Sequence, residues 1–597
     1  LHGKLEKGEK MKTSRILMLT TLFILLNTMS HATQEIRSAS APPSLDEIIV
    51  SATKTEEKVK DIPNAVILID AETIQESPAR TLGEILADEL GIDWRTYGDY
   101  GGASGTIQIR GMSANGTQIL VNGVNIASPS LGTTDVSKIP LNSIERIEVV
   151  KGSGSLLYGS GAMGGTINII TKNPKKDRTM LKASAGIGSQ NTYELTAENG
   201  MFLSNDFGYY LTAGRRETDG FRDNSDLTHN DVSLKLVWDK GEVLNLSLYG
   251  DWIDREYGRP GVKPPDGIND YYVGDTLFYN ADSANLLARG SDKDQHIVFQ
   301  LKSRPLDWII LSGRADYSRL ENYDLDRYID FDNNLAGTKL WVTNIIQGIE
   351  ANANIRANDK FGILIGADHK NYDWENESFG IDAGEEEIPE TRNAFDATVR
   401  STGYYLEAQY RPLSYIKGIA GVRQEDHSAF GTETLPLFGI IVNPSSRTVL
   451  KINHGKHFLA PTPNDLFWPY QDFGYYSFQG NPDLKPETGW HSDATLEHRF
   501  LNDKVAATLS YFKWDINDKI EWQADESWHY RPVNLDSFTG DGWEAGLRIG
   551  PYLGLQVSLS YTYTDANEEN SYVTRRASYT PEHQFKSSIT HWADFGL

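Results

Sequence analysis

The chain has 597 residues, no cysteine, and 82 acidic against 57 basic side chains, for a net charge of -25. That length allows several domains or one very large β-architecture. The missing cysteines exclude disulfides, thiolate metal sites and cysteine nucleophiles, and the acidic balance argues against nucleic acid as a partner. With 53 Gly, 29 Tyr and 13 Trp, the composition suits a β-rich chain with many turns.

Residues 1–10 read as an upstream extension before Met11. Lys12 and Arg15 then form a positive start, Ile16 to Leu26 an apolar core and Ser30-His31-Ala32 a cleavage site, so 11–32 reads as a secretory signal peptide. No later stretch reaches the roughly 18 apolar residues of a spanning helix, so any membrane passage must use strands. Residues 33–45 are a linker, polar and proline-bearing from Ser38 to Ser44.

Asp46, Glu47, Ile48, Ile49, Val50, Ser51 and Ala52 make a short β-prone run on that tether. Residues 53–175 read as a small mixed α/β domain, with strands at 66–70, 105–110, 118–121, 144–150 and 166–171 and a helix at 81–90. Its glycine runs, 152–154 and 159–165, are not phosphate loops. The second precedes a strand and lacks the Lys-Ser/Thr ending, so these glycines serve tight turns.

From about residue 176 to 597 the pattern changes to period two. Leu555, Val557, Leu559, Tyr561 and Tyr563 alternate with Gln556, Ser558, Ser560 and Thr562, and Val505 to Tyr511 and Leu244 to Tyr249 repeat the alternation. Aromatic residues gather near strand ends, and short turns alternate with long polar loops such as 254–293, 319–338 and 374–396. In lipid every backbone group must be paired internally, so such a sheet is expected to close as a transmembrane antiparallel β-barrel. About 18 or 19 strands are expected. The chain stops just after one of them, so the barrel domain is expected to be C-terminally truncated.

The segments Ile107-Gln108-Ile109-Arg110-Gly111, Ile119-Leu120-Val121-Asn122-Gly123, Ile144-Glu145-Arg146-Ile147-Glu148-Val149-Val150-Lys151-Gly152 and Gly164 to Lys172 stand in the order seen in the plug of TonB-dependent outer-membrane receptors. Asn481-Pro482-Asp483-Leu484-Lys485-Pro486-Glu487 resembles that family's barrel motif. The resemblance covers about 46–597 and is nearest to the cobalamin and small-siderophore branch. It implies a barrel of about 22 strands in the full-length protein, a plug at 53–175 inside its lumen, a TonB box at 46–52 and a barrel domain at 176–597. It also implies import of a scarce metal chelate, ferric siderophore or cobalamin, energised through TonB with its inner-membrane motor proteins. The expected setting is the outer membrane of a Gram-negative bacterium, with the protein as a monomer in contact with outer-membrane lipid.

Site residues follow from both readings. Residues 46–52 would add as a strand to TonB. Arg110 and Arg146, with Glu145 and Glu148, are expected at plug–barrel contacts. Ligand contacts are expected at plug apices (Trp94, Tyr97, Tyr100, Ser113, Asn115) and at an aromatic loop (Trp468, Tyr470, Tyr475). Asp219, Asp223, Asp226 and Asp231 lie in one connection and are candidate calcium ligands; no covalent cofactor is expected. A passive or gated porin is the alternative, but it predicts neither a coupling segment nor a 130-residue insert. Catalysis is not expected, since the sequence has no G-x-S-x-G and no H-E-x-x-H. Haem is disfavoured, because no histidine lies between Phe458-Leu459-Ala460-Pro461 and Asn481.

Overall fold

The computed structural model describes residues 45–49, 54–96, 104–261, 270–273, 276–279, 285–329, 334–472, 476–569 and 574–592. The signal peptide, Val50, Ser51, Ala52, Tyr97, Tyr100 and Tyr475 lie outside the described residues.

The N-terminal domain is built on a five-stranded mixed sheet. Its order is Val66–Asp70, Ile144–Lys151, Gly165–Thr171, Thr117–Val121 and Val124–Asn125. Only the Thr117–Val121 and Gly165–Thr171 pair is parallel. A hairpin of Ile92–Thr96 and Gly105–Ile109 packs beside it. Helix Ala71–Glu76 starts where Asp70 accepts a bond from the Thr73 N–H, and helix Leu82–Ala87 where Thr81 caps the Glu84 N–H. The helix is shorter than the expected 81–90, ending at Ala87 before a tight turn in which the Glu89 N–H bonds the Leu86 carbonyl; Gly91, at φ +66°, then turns the chain into the hairpin. Ile69, Leu86, Ile107, Ile119, Ile147 and Ile167 fill the core between helices and sheet.

Among the described residues that follow, one sheet of 21 strands runs from Met180–Ile187 to His583–His591, antiparallel except where Ser477–Phe478 pairs parallel with His529–Tyr552. Three of these, Gln471–Asp472, Ser477–Phe478 and Thr574–Arg576, have only two or three residues. The alternation is inverted relative to a protein in water. Leu234, Leu248, Ile297, Ile365, Phe438 and Leu509 are exposed, while Lys235, Glu350, Arg423, Lys451, Asp493 and Glu544 are buried. An apolar outer face with a polar inner face fits hydrocarbon outside and plug inside.

The expectation of a closed barrel is corrected here. Met180–Ile187 and His583–His591 stand at opposite ends of the strand order and are not hydrogen-bonded to each other. Closure requires each edge ladder to find a partner, and among the described residues neither edge does. Side chains of both edge strands are uncovered, with Ile187 at 94% and Ile589 at 74% exposure.

The two ends of the sheet differ. One carries tight turns, such as Leu413–Ile416 and Ser445–Thr448, and the other long connections, such as 382–392 and 460–486. The N-terminal segment lies at the tight-turn end. Asp61 bonds Arg411 at 2.8 Å, its carbonyl accepts from Lys417 at 3.1 Å, and the Lys60 carbonyl accepts from Asn443 at 3.3 Å.

Candidate functional site

The segment opening at Asp46 is docked. Ile48–Ile49 pairs antiparallel with Glu57–Lys58, the Val59 N–H donates to the Glu47 carbonyl, and the Lys60 N–H to the Leu45 carbonyl. Ile49 is fully buried among Val59, Ile62 and Val150, whereas Ile48 is half exposed. Asp46 bonds Lys60 at 2.6 Å and Lys58 at 3.0 Å, and these cations hold its carboxyl below the usual range. Two ladder residues and one buried isoleucine make a small, detachable contact.

Arg110 and its following Gly111 both take positive φ, +55° and +74°. The Arg110 side chain reaches the polar face of the large sheet, where Nη2 lies 2.9 Å from Glu544 Oε2. Lys151 Nζ sits 2.9 Å from the other oxygen, Oε1, and 2.5 Å from the Leu90 carbonyl. All three side chains are at most 2% exposed. Burial lowers the Lys151 pKa, and Glu544 offsets part of that. Gly91 completes the arrangement, because a Cβ there would stand 1.6 Å from Glu544 Oε1. The other expected contacts are local. Arg146 bonds Glu148 at 2.8 Å, two residues on and on the same face of one strand, and Glu145 lies 3.9 Å from Lys175. Neither ion pair joins the plug to the large sheet.

The sequence reading missed several plug-to-wall ion pairs. Lys54 bonds Glu350 at 2.8 Å, and burial pushes its amine down to about 8 despite Glu350. Lys138 lies 3.1 Å from Asp292 and 3.2 Å from Asp294. Burial opposes its charge, yet these acids hold its pKa above the usual value. Lys172 bonds Glu198 at 2.6 Å. The available signal was a charge at an inward position of an alternating strand, as Glu350 follows Ile349 and Glu544 follows Trp543.

At the long-loop end, Trp374 is fully buried, 4.9 Å from Phe395 and 6.4 Å from Trp468 by ring centroids. Trp468 donates to Gln471 at 3.1 Å, and Tyr470 is 57% exposed, 5.8 Å from the His529 ring. The turn Ala114–Gly116, preceded by Ser113, comes up near the start of this loop, since a Cβ on Gly132 would lie 3.1 Å from Thr462 and 3.5 Å from Asn115, and the Ala460 N–H bonds Ser160 in the same region. Asn115 Oδ1 is buried, and among the described residues it has no hydrogen-bond partner. Trp94 is instead wedged into the plug. Its Nε1 lies 2.2 Å from where a Cβ on Gly83 would sit and 2.8 Å from one on Gly105, so both positions need glycine.

The four aspartates do not converge. Asp219 accepts from Asn191 at 2.6 Å. Asp226 takes a two-pronged bond from Arg289 at 2.6 and 2.8 Å, which lowers its pKa. Asp231 is buried, 3.7 Å from His229, and Asp223 is exposed. Among the described residues no group of three or more His, Asp or Glu is placed to hold a metal ion.

A plug carrying inward ion pairs, beside a sheet that is apolar outside and polar inside, defines an outer-membrane transport receptor. A family model described as "TonB dependent receptor-like, beta-barrel" matches residues 199–597, and one described as "TonB-dependent Receptor Plug Domain" matches 58–166. The chain belongs to the TonB-dependent receptors. It is a TonB-coupled receptor of a Gram-negative outer membrane and not an enzyme. It is 26% identical to the vitamin B12 transporter BtuB of Photobacterium profundum over 553 residues, 89% of this chain and 80% of that protein. It is also 26% identical to BtuB of Vibrio vulnificus over 497 residues, 82% and 73%. The fold resembles the pyoverdine receptor FpvA of Pseudomonas aeruginosa at TM-score 0.73 and 15% identity, covering 93% of this chain and 84% of that one. It also resembles the siderophore receptor PirA of Acinetobacter baumannii at 0.66 and 18%, covering 87% and 83%.

Proposed function

We propose that the protein binds a metal chelate, a cobalamin or a ferric siderophore, at the long-loop end and imports it when TonB pulls on residues 46–52. The observation that carries the reading is the position of Asp46–Ile49. It docks at the tight-turn end, opposite the aromatic loops, through a two-residue ladder. A short edge pairing of that kind can be exchanged for a longer one on a partner's sheet. The named relatives transport vitamin B12 or bind siderophores, which supports a chelate as cargo. Trp468, Tyr470, Ser113 and Asn115 are the residues proposed to meet it, with aromatic faces supplying contact area at low entropic cost. The proposed working unit is one chain. Calcium enters this reading only if Asp226 leaves Arg289.

The absence of native cysteine makes the test clean. Ile48→Cys, paired with single cysteines in TonB, is expected to form a disulfide-linked complex that increases when chelate is added. No crosslink from position 48, with a crosslink from an unrelated plug position, would remove the coupling assignment.

A further inference from the structure

Between plug and wall, below the 219–226 connection, lies a cleft of about 190 Å³. Arg80, Arg216 and Arg255 line it, and among the described residues Glu84 is the one acid in its lining. Two of the arginines are committed: Arg80 to Glu84 at 3.3 Å and Arg255 to Asp135 at 3.2 Å. Arg216 is not. It is half-buried at the upper end of Phe207–Thr218, and among the described residues it makes no hydrogen bond or ion pair. Glu194 stands opposite it in the ladder but is exposed and not within ion-pair distance. Thr96, Thr192 and Gln190 add neutral polar groups around the cleft.

Among the described residues the acids that attract Arg216 are Glu194, beyond ion-pair distance, and Glu84, already bonded to Arg80, and a half-buried guanidinium facing two other cations with no acid in direct contact is costly unless something negative arrives. The planar fork of arginine matches a carboxylate by two parallel N–H bonds. The cleft has room for a small organic acid and not for a whole chelate. We propose that it is an anion subsite that takes a carboxylate group, supplied by a free organic acid or by an arm of the imported chelate. This rests on the import reading only for its second source. Binding to detergent-purified protein needs no TonB, so its failure leaves the coupling assignment untouched.

The test is calorimetry at low ionic strength with citrate and, separately, with its ferric complex. Saturable binding of either is expected, weakened about 10- to 100-fold in Arg216→Gln, the effect of losing a charge-assisted bond, and partly kept in Arg216→Lys. Dependence on Arg216 for citrate assigns a free acid; dependence for the ferric complex alone assigns an arm of the chelate. Arg80→Gln, with its side chain 59% exposed, is the variant least able to disturb folding and should also weaken binding. Equal affinities in wild type and Arg216→Gln would overturn the proposal, as would no binding of either probe at millimolar concentration.

Discussion

Replacing Glu544 with Gln tests how the plug is held. The carboxylate is the shared counter-ion of Arg110 and Lys151, each at 2.9 Å and both buried. Gln keeps the shape and a carbonyl acceptor but removes the charge, leaving two neighbouring cations in a water-poor seam. Removing one member of a buried pair costs about 3–5 kcal/mol. If that cost falls on the seated plug, local opening becomes about a hundred- to several-thousand-fold more frequent. Hydrogen exchange followed on peptides covering Val66–Asp70 and Ile144–Lys151 reads this directly, and entry of bulky antibiotics into cells reads it indirectly. Arg110→Gln should cost less, because Lys151 keeps its partner. Exchange in Glu544→Gln within about twofold of wild type, an effect below 0.5 kcal/mol, would refute the view that this triad seats the plug.

Gly91→Ala should imitate Glu544→Gln, since its Cβ would displace the carboxylate and strain a left-handed backbone; a loss of about 1–3 kcal/mol is expected, read by the same exchange assay. Ile49→Pro should abolish energised uptake while surface ligand binding stays normal, because proline removes a ladder donor; binding and uptake measured on the same cells separate the two. Asp46 has a lowered pKa when docked, so its contribution is present above its undocked pKa of about 3.8 and is lost as pH falls through the docked value. Being exposed, it contributes at most about 1 kcal/mol; a label on Ile48→Cys should report undocking at low pH and no change between about pH 6 and 8. Calcium should not bind tightly to the 219–226 connection while Arg289 holds Asp226, and Arg289→Gln should raise its affinity, which calorimetry would show.

Alternation was legible because a strand has a period of two and its two faces meet different solvents. That is why the alternation from Leu555 to Tyr563 is enough to point to a membrane sheet. The plug strands were legible for a related reason: runs such as Ile147 to Val150 and Ile167 to Ile170 end at glycines or charged residues. Arg110 stood out through its Gly111 neighbour, but its partner did not. Glu544 lies 434 residues away, and no local rule links the two. Local sequence instead offered Glu148, which took Arg146. The aspartates of 219–231 looked like a metal site because sequence counts carboxylates without seeing Arg289. Closure was inferred from the lipid environment, and edge pairing depends on partners that a strand pattern alone does not reveal. Trp94 looked like an apex contact because nothing in its neighbours says that Gly83 and Gly105 leave room for its ring.

The central claim is that this receptor's transport draws on TonB through the docked segment at the tight-turn end. The most direct measurement is accumulation of radiolabelled cobalamin and of ferric siderophores by cells making this chain, with and without TonB, using wild type and Ile49→Pro. Uptake of one of these chelates that needs TonB and fails in Ile49→Pro is the predicted result. Uptake at the same rate without TonB, or unimpaired in Ile49→Pro at equal surface binding, would contradict it.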